Sequence, residues 1–559
     1  MTNKKRKAYF VGGGIASLAG ATYLLKDGGW TGKNIFILEE GKHFGGALDD
    51  NDISPSKFLS RGERMFTPEI YNCTLDLMSQ IPLKRFSRKT LLDDFLAFNN
   101  DPQNKWHAKA RLLEKGQIID ASKFGLSTSD ELSLIKVLTT PEDKLEGLKI
   151  NDIFEPAFFQ TNFWFMVATT FAFQPWHSAI ELRRYAYRFL HQLPKLHDMS
   201  CVAMTRYHQF DSLVDPTAKW LRRQGVNFLN NSLVTDLHFL KTETESTTNT
   251  TTEPATERVS QIHYRHQGEA REIAVGENDL VFFTNGSIIT NASLGAMDKV
   301  PATITKKPTD SWSVWEKIAK DRPHFGRPEI FDNSYRDSKW ESFSVTFTDD
   351  TFLNLMTDFT RSLPGTGGVT TIKDSNWLLS LHTPKQPHFK RQPKGVNVFW
   401  GYGLSSDQKG NFVPKKMSDC TGAEILTEIC SHLGFTRDLP KILASADCTP
   451  CMMPYITSQF IERKNGDRPA VIPAHTKNFA FIGQFCEIPD EIVFTVEQSV
   501  RSALIAVTGL LNLSKPIPPI YHGQYDPHAL TSLFGLCLDL GFKQLCSAVV
   551  KHKEEKGIK

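Results

Sequence analysis

No stretch of this chain approaches the roughly 18 consecutive apolar residues that a membrane-crossing helix requires, so a helical span is not expected. An excess of one charge is missing too. The 65 Lys and Arg nearly balance the 62 Asp and Glu, and a net charge of +3 gives no argument for nucleic acid as a partner. Cysteine is not organised for bridges. Nine of them, odd in number and scattered over 559 residues, argue for a reducing compartment and a cytoplasmic protein. The CxxC at Cys448–Cys451 lacks a second pair and nearby His ligands, so no metal site is expected and the pair reads as structural. Tyrosine is sparse, 12 against 39 Phe, and that excess of Phe suits a large apolar interior or a lipid-sized cavity. Lys4-Lys5-Arg6-Lys7 followed by apolar residues mimics a secretory leader, but the apolar run breaks at Gly12–Gly14.

What is present begins at that break. Ala8-Tyr9-Phe10-Val11 reads as a strand, Gly12-Gly13-Gly14 as a turn, Ile15 to Leu25 as a helix, and Ile35-Phe36-Ile37-Leu38 as a second strand ending at Glu39. Small residues are needed there because backbone N–H groups at a helix N-terminus must approach a pyrophosphate closely. Gly12, Gly14, Ile15, Ala16 and Ser17 are the candidate phosphate-side residues, with Ser17 where the motif has its third glycine. Glu39 is placed to accept ribose hydroxyls; Glu40 and Gly46 are candidates beside it.

A chain this long suggests about three or four domains. The spacing predicts a helix over Leu213–Arg223, strands over Val226–Leu229 and Leu233–Leu240, and an exposed mobile loop over the Thr- and Glu-rich Lys241–Glu257. The strand Asp279–Phe283 then leads to Asn285, Gly286 and Ser287, and returns the chain to the cofactor sheet. A further return is Asn478–Gly483 with Gln484 and Phe485, followed directly by a predicted helix over Glu491–Leu511. Residues 1–60, 210–300 and 470–515 thus form one discontinuous Rossmann-like domain of an α/β protein, the two-dinucleotide-binding flavoprotein layout, and the expected cofactor is FAD. Inserted between them are a mostly helical region, 61–209, and an α+β substrate-binding region, 301–469. Residues 516–559 read as a C-terminal helical segment. Its apolar Leu533–Val550 and basic end could rest on an anionic membrane surface or dock on the protein itself.

Longer stretches carry a family resemblance. Gly45–Asp49, Phe173–His177 with Arg183-Arg184-Tyr185, Gln386–Phe389, Trp400–Gly403, Pro450–Phe460 and Phe481–Arg501 resemble the oleate hydratases, the bacterial myosin-cross-reactive antigen family. The resemblance runs from Gly12 to about Leu511. It implies an FAD-dependent enzyme that adds water across a cis double bond of a long-chain unsaturated fatty acid without net redox change.

That reaction needs a proton donor to one carbon and a proton acceptor for water at the other, in a dry cavity. The resemblance puts the donor at Tyr185. In the family the base is the Glu of an Arg-Gly-Gly-Arg-Glu-Met loop that touches the flavin; here the loop is Arg61-Gly62-Glu63-Arg64-Met65-Phe66. In register the Glu becomes Met65 while Glu63 replaces a Gly. Three options follow: Glu63 takes over, other groups activate water, or the loop, with Arg61, Gly62 and Arg64, only positions the flavin. Gln209 matches a substrate-pocket Gln. The family's carboxylate-binding Thr, Asn and His align with His382, Pro384 and His388, so only the last is kept and headgroup recognition is altered.

Two other functions remain open on sequence. A flavin-dependent double-bond isomerase or oxidoreductase is favoured by Met65, and a non-catalytic flavin- and lipid-binding protein by the altered headgroup residues. The chain starts close to the cofactor strand without the longer extension of many relatives, which favours a monomer over a homodimer.

Overall fold

The computed structural model describes residues 6–49, 57–242, 256–302, 311–532, 547 and 551. Five short strands form a wholly parallel sheet in the order Phe479–Ile482, Leu280–Thr284, Ala8–Val11, Ile35–Leu38, Asn227–Leu229. Its central strands are continuous apolar runs, buried nearly throughout, as sheets covered on both faces require. Phe10 stacks on Phe282 with ring centres 4.5 Å apart, joining neighbouring strands by their side chains. Helices Ile15–Lys26 and Val496–Leu511 pack on one another beside the sheet. The strands come from three separated stretches of chain.

A second, eight-stranded sheet is mostly antiparallel. Its order is Ser293–Leu294, Ala446–Met453, Trp340–Phe347, Asn397–Gly403, Leu379–His382, Val369–Ile372, Leu112–Glu114, Gln117–Ile119. The last two strands come from the region read as mostly helical. They join through Lys115 and Gly116, both at positive φ (49° and 70°), the backbone a two-residue hairpin demands. Cys448 and Cys451 lie on one strand of this sheet, where a three-residue separation points the two thiols to opposite faces.

Two sequence expectations shift. The helix expected from Glu491 starts at Val496, because Thr495 caps it by accepting the Gln498 N–H at 3.1 Å. Asp490 and Phe494 before it have φ of 61° and 69°, which no helix tolerates. Likewise, the helix expected from Leu213 is regular only over Asp215–Arg223, preceded by a π turn over Phe210–Val214. Residues 243–255 of the predicted mobile loop lie outside the described residues; the strands on either side, Ser232–Thr242 and Thr256–His266, pair antiparallel. Apart from residues 547 and 551, the C-terminal stretch 533–559 also lies outside them. Among the described residues no helix is long and apolar enough to cross a membrane, and no group of His, Cys, Asp and Glu could hold a metal.

Candidate active site

The first strand ends at Gly12, whose φ of 95° suits glycine, and an added Cβ there would meet the Thr284 side chain at 3.2 Å. Gly14 caps the following helix with no side-chain hydrogen bond, and a Cβ at Gly14 would meet no protein atom within 4 Å. The helix therefore presents uncapped N–H groups and the positive end of its dipole to open space. That space is a groove of about 450 Å³.

Gly12, Gly14, Ile15 and Ala16 form one wall of the groove, with Glu39, Glu40 and Gly46 beside them. Arg61, Arg64, Gly286, Ser287, Gly483 and Gln484 line the rest. Both Glu39 oxygens are engaged, accepting the Gly13 N–H at 2.7 Å and the Gly41 N–H at 2.8 Å. Burial raises its carboxyl pKa against those two bonds. Arg61 is buried and ion-paired to Asp49. The Thr284 hydroxyl, also in the wall, has no protein partner although buried. A hydroxyl left so costs about 1–3 kcal/mol, which a polar ligand can recover. An uncapped helix end, a missing Cβ and an orphan hydroxyl together fit a dinucleotide such as FAD.

Four of the sequence candidates stand behind this wall. Ser17 is buried in the helix, and Asn285 donates from Nδ2 to the Phe485 carbonyl at 3.0 Å. Phe485 packs edge-on against Trp312 at 4.5 Å, while the Gly62 carbonyl accepts from Gln209 Nε2 at 2.9 Å.

A second, apolar cavity of about 190 Å³ adjoins the groove and shares Arg64, Phe494, Thr495 and Val496 with it. Phe124, Phe158, Trp164, Phe171 and Phe189 are in its wall, which locates part of the Phe excess. Its few polar groups include Glu63, Arg64, Tyr71, Tyr185 and Lys195. The Arg64 guanidinium stands 5.6 Å from the Phe494 ring centre, at the junction of the two spaces.

Tyr185 lies on the helix Ala179–Arg188, whose buried face is fixed by ions at helical spacing. Glu181 accepts from Arg463 and Arg468 at 2.8 and 3.0 Å, Arg184 pairs with Glu487 at 2.7 Å, and Arg188 pairs with Glu491. The Tyr185 hydroxyl donates to the Val493 carbonyl at 2.6 Å, and burial holds its pKa well above the usual phenol range. Gln484 staples the same loop: its Oε1 accepts the Phe494 N–H at 2.5 Å and its Nε2 donates to the Thr495 carbonyl at 2.8 Å.

Glu63 and Met65 both reach the apolar cavity. Glu63 Oε1 is 3.0 Å from His388 Nε2, and Oε2 is buried without a partner. Burial alone would raise this carboxyl, but His388 together with His208 and His382 holds it well below the usual range. Gln209, His382 and His388 are not among the residues lining the cavity. His382 is instead bonded through Nδ1 to the Gly368 carbonyl at 2.8 Å.

Sequence reasoning did not single out Tyr71, Thr284 or Phe494. Tyr71 follows Arg61 by only ten residues, yet nothing local marks its ring as cavity-facing. Phe494 was readable only as a helical residue.

The sequence profile described as the MCRA family matches residues 5–508. An oleate hydratase of Streptococcus pyogenes serotype M49 (strain NZ131) is 36% identical over 545 residues, covering 95% of this chain and 89% of that protein. A linoleate hydratase of Lactiplantibacillus plantarum is 34% identical over 538 residues, covering 90% and 93%. Among solved structures, cyclohexylamine oxidase from Brevibacterium oxydans IH-35A is similar in fold, with a TM-score of 0.52 at 10% identity over 91% of this chain and 99% of that one.

Proposed function

The chain belongs to the MCRA family, and from that premise we propose that it is an FAD-dependent hydratase of long-chain unsaturated fatty acids such as oleate and linoleate. The observation that carries the reading is the junction itself. An apolar cavity bearing a tyrosine and a carboxylate opens beside a groove built for a dinucleotide.

Gly12, Gly14 and the helix end behind them would hold the pyrophosphate, Glu39 the ribose, and Arg64, Gly483 and Gln484 the end nearest the cavity. Bound and reduced, the flavin would supply negative charge that favours a developing carbocation. The chain's own groups carry the protons. Tyr185 gives its hydroxyl proton to one alkene carbon after turning from Val493, and a water oxygen bonds to the other. Glu63 Oε2 accepts the proton that this water sheds, and return of a proton to Tyr185 through solvent closes the cycle. Alkene plus water becomes alcohol, with no electrons exchanged.

The unpartnered Oε2 favours Glu63 as base over the other two options. A depressed pKa is no obstacle, because water attacking a cation becomes strongly acidic as the bond forms. Met65 contributes only apolar wall. Its place there, where the relatives' carboxylate aligns, is what favours the isomerase reading. The seven described cysteines are all free, which supports a reducing, cytoplasmic setting. Incubating the purified chain with FAD, a reductant and oleate should give a product heavier by one water. Flavin-loaded protein with unaltered oleate would contradict the proposal.

A further inference from the structure

We propose that the loop Pro82–Thr90 is a docking element for an anionic lipid surface. The loop is pinned at its base, where Pro82 and Thr90 form an antiparallel bridge and the Leu83 N–H donates to the Lys89 carbonyl at 2.8 Å. Leu83 is turned inward against the core. At the tip the Ser87 N–H donates to the Lys84 carbonyl at 3.0 Å, closing a turn that contains Phe86.

Phe86 adopts a φ of 65°, a conformation bulky aromatics rarely hold, and its side chain is 91% exposed. No other large hydrophobic among the described residues is so open. Such backbone outliers persist where the surrounding structure imposes them, often at sites of function.

On either side of Phe86 in the loop come Lys84 and Arg85, then Arg88 and Lys89, all exposed, with no carboxylate between Pro82 and Thr90. Arg85 lies over the Phe86 ring at 4.8 Å. The acidic neighbour, Asp93, spends its carboxylate on the helix cap, accepting the Thr90 N–H at 2.6 Å. Leu96, 41% exposed on the helix Leu91–Asn100 that follows, adds apolar surface.

Four cations flanking a projecting ring match the layering of a bilayer surface. The cations meet anionic headgroups while the ring enters the boundary below them. A nucleic acid could stack on the ring and pair with the cations, but a net charge of only +3 gives no argument for one. The lipid surface is the occupant that takes up the ring and the cations at once without a specific partner. The surface is separate from the catalytic groups and does not depend on the hydratase reading.

The test is co-sedimentation of the full chain with phosphatidylcholine vesicles, with and without phosphatidylglycerol. Binding is expected only with the anionic lipid and should weaken as salt rises. Each basic residue near such a surface contributes about fivefold in partitioning, so Lys84, Arg85, Arg88 and Lys89 all changed to Gln should lose at least about tenfold. Phe86→Asn, a residue that tolerates this backbone, should lose several-fold. Unchanged melting temperature and flavin uptake verify that both variants fold. Failure of the wild-type chain to bind anionic vesicles would overturn the proposal. So would variants that bind like wild type, or loop-dependent binding to RNA or acidic peptides without vesicle binding.

Discussion

Glu63 and His388 face each other at 3.0 Å with side chains only 4% and 7% exposed, and the second carboxylate oxygen of Glu63 is left unpartnered where the side chain borders the apolar cavity. On the proposed mechanism His388, a candidate headgroup ligand on sequence, would instead keep Glu63 ionised and orient it as the base. Glu63→Gln keeps the shape and removes the proton acceptor, so turnover should fall about 10²–10⁴-fold while flavin uptake is unchanged. Met65→Glu in that background should restore part of the rate. His388→Ala removes the largest influence opposing burial, leaving only His208 and His382 against it, and so raises the Glu63 carboxyl, which should move the acidic limb of the pH–rate profile upward. Wild-type rates in Glu63→Gln would remove Glu63 from the mechanism.

Tyr185→Phe should cost turnover about 10²–10⁴-fold by removing the acid. It also leaves the buried Val493 carbonyl without its donor, a loss of about 1–3 kcal/mol in stability. Measured together, a rate loss far larger than the unfolding change separates catalysis from packing. Equal, small effects would make Tyr185 a structural residue.

Gly12 and Gly14 predict opposite behaviour on substitution. Gly14→Ala adds a methyl that meets no protein atom, at an ordinary φ of −74°, so the apoprotein should melt as wild type does while binding flavin more weakly. Gly12→Ala must hold a φ of 95° against Thr284 and should destabilise the apoprotein itself, by about 1–2 kcal/mol. Flavin titration beside apoprotein melting distinguishes them, and unaltered affinity in Gly14→Ala would place the cofactor elsewhere.

Acid should unfold this protein early. Burial lowers His177 and His208 from 6.5 to about 3, and lowers His382 as well. These side chains stay neutral when folded and take up protons when unfolded. Stability is therefore lost as pH falls from 6.5 toward 3, by about 1.4 kcal/mol per unit for each of His177 and His208. Glu341 partly offsets this, because its buried carboxyl is raised well above 4.5 and gains a proton on folding. Glu63 adds to this below its ordinary 4.5, because its folded carboxyl is depressed. Tyr185 acts at the other end, its raised pKa withdrawing stability above 10. Urea midpoints followed by Trp fluorescence should be level between roughly pH 7 and 9 and fall on both sides. A flat profile from pH 7 to 5 would contradict it.

The glycine turn, the strands around it and Glu39 were legible because each is a local pattern: apolar runs, small residues at a turn, an acid at a strand end. The return strands at Leu280–Thr284 and Phe479–Ile482 were legible for the same reason. The Glu63–His388 pair was not, since its members are 325 residues apart and meet only through packing of the loop at Arg61. Ile492-Val493-Phe494 carries the apolar content of a helix, yet Thr495 takes the cap and the preceding loop turns at positive φ to offer Tyr185 a carbonyl. Gln209 and His382 read as substrate ligands on sequence; within the protein Gln209 bonds to the Gly62 carbonyl and the His208 ring, and His382 to the Gly368 carbonyl, partners that no periodicity reveals.

Oleate turned over in ¹⁸O-labelled water, with FAD and a reductant, puts the central idea to its most direct trial. A hydroxy acid carrying one solvent oxygen is expected from the wild-type chain, and almost none from Tyr185→Phe or Glu63→Gln. A product of unchanged mass with a moved double bond, or one oxidised without label, would contradict it.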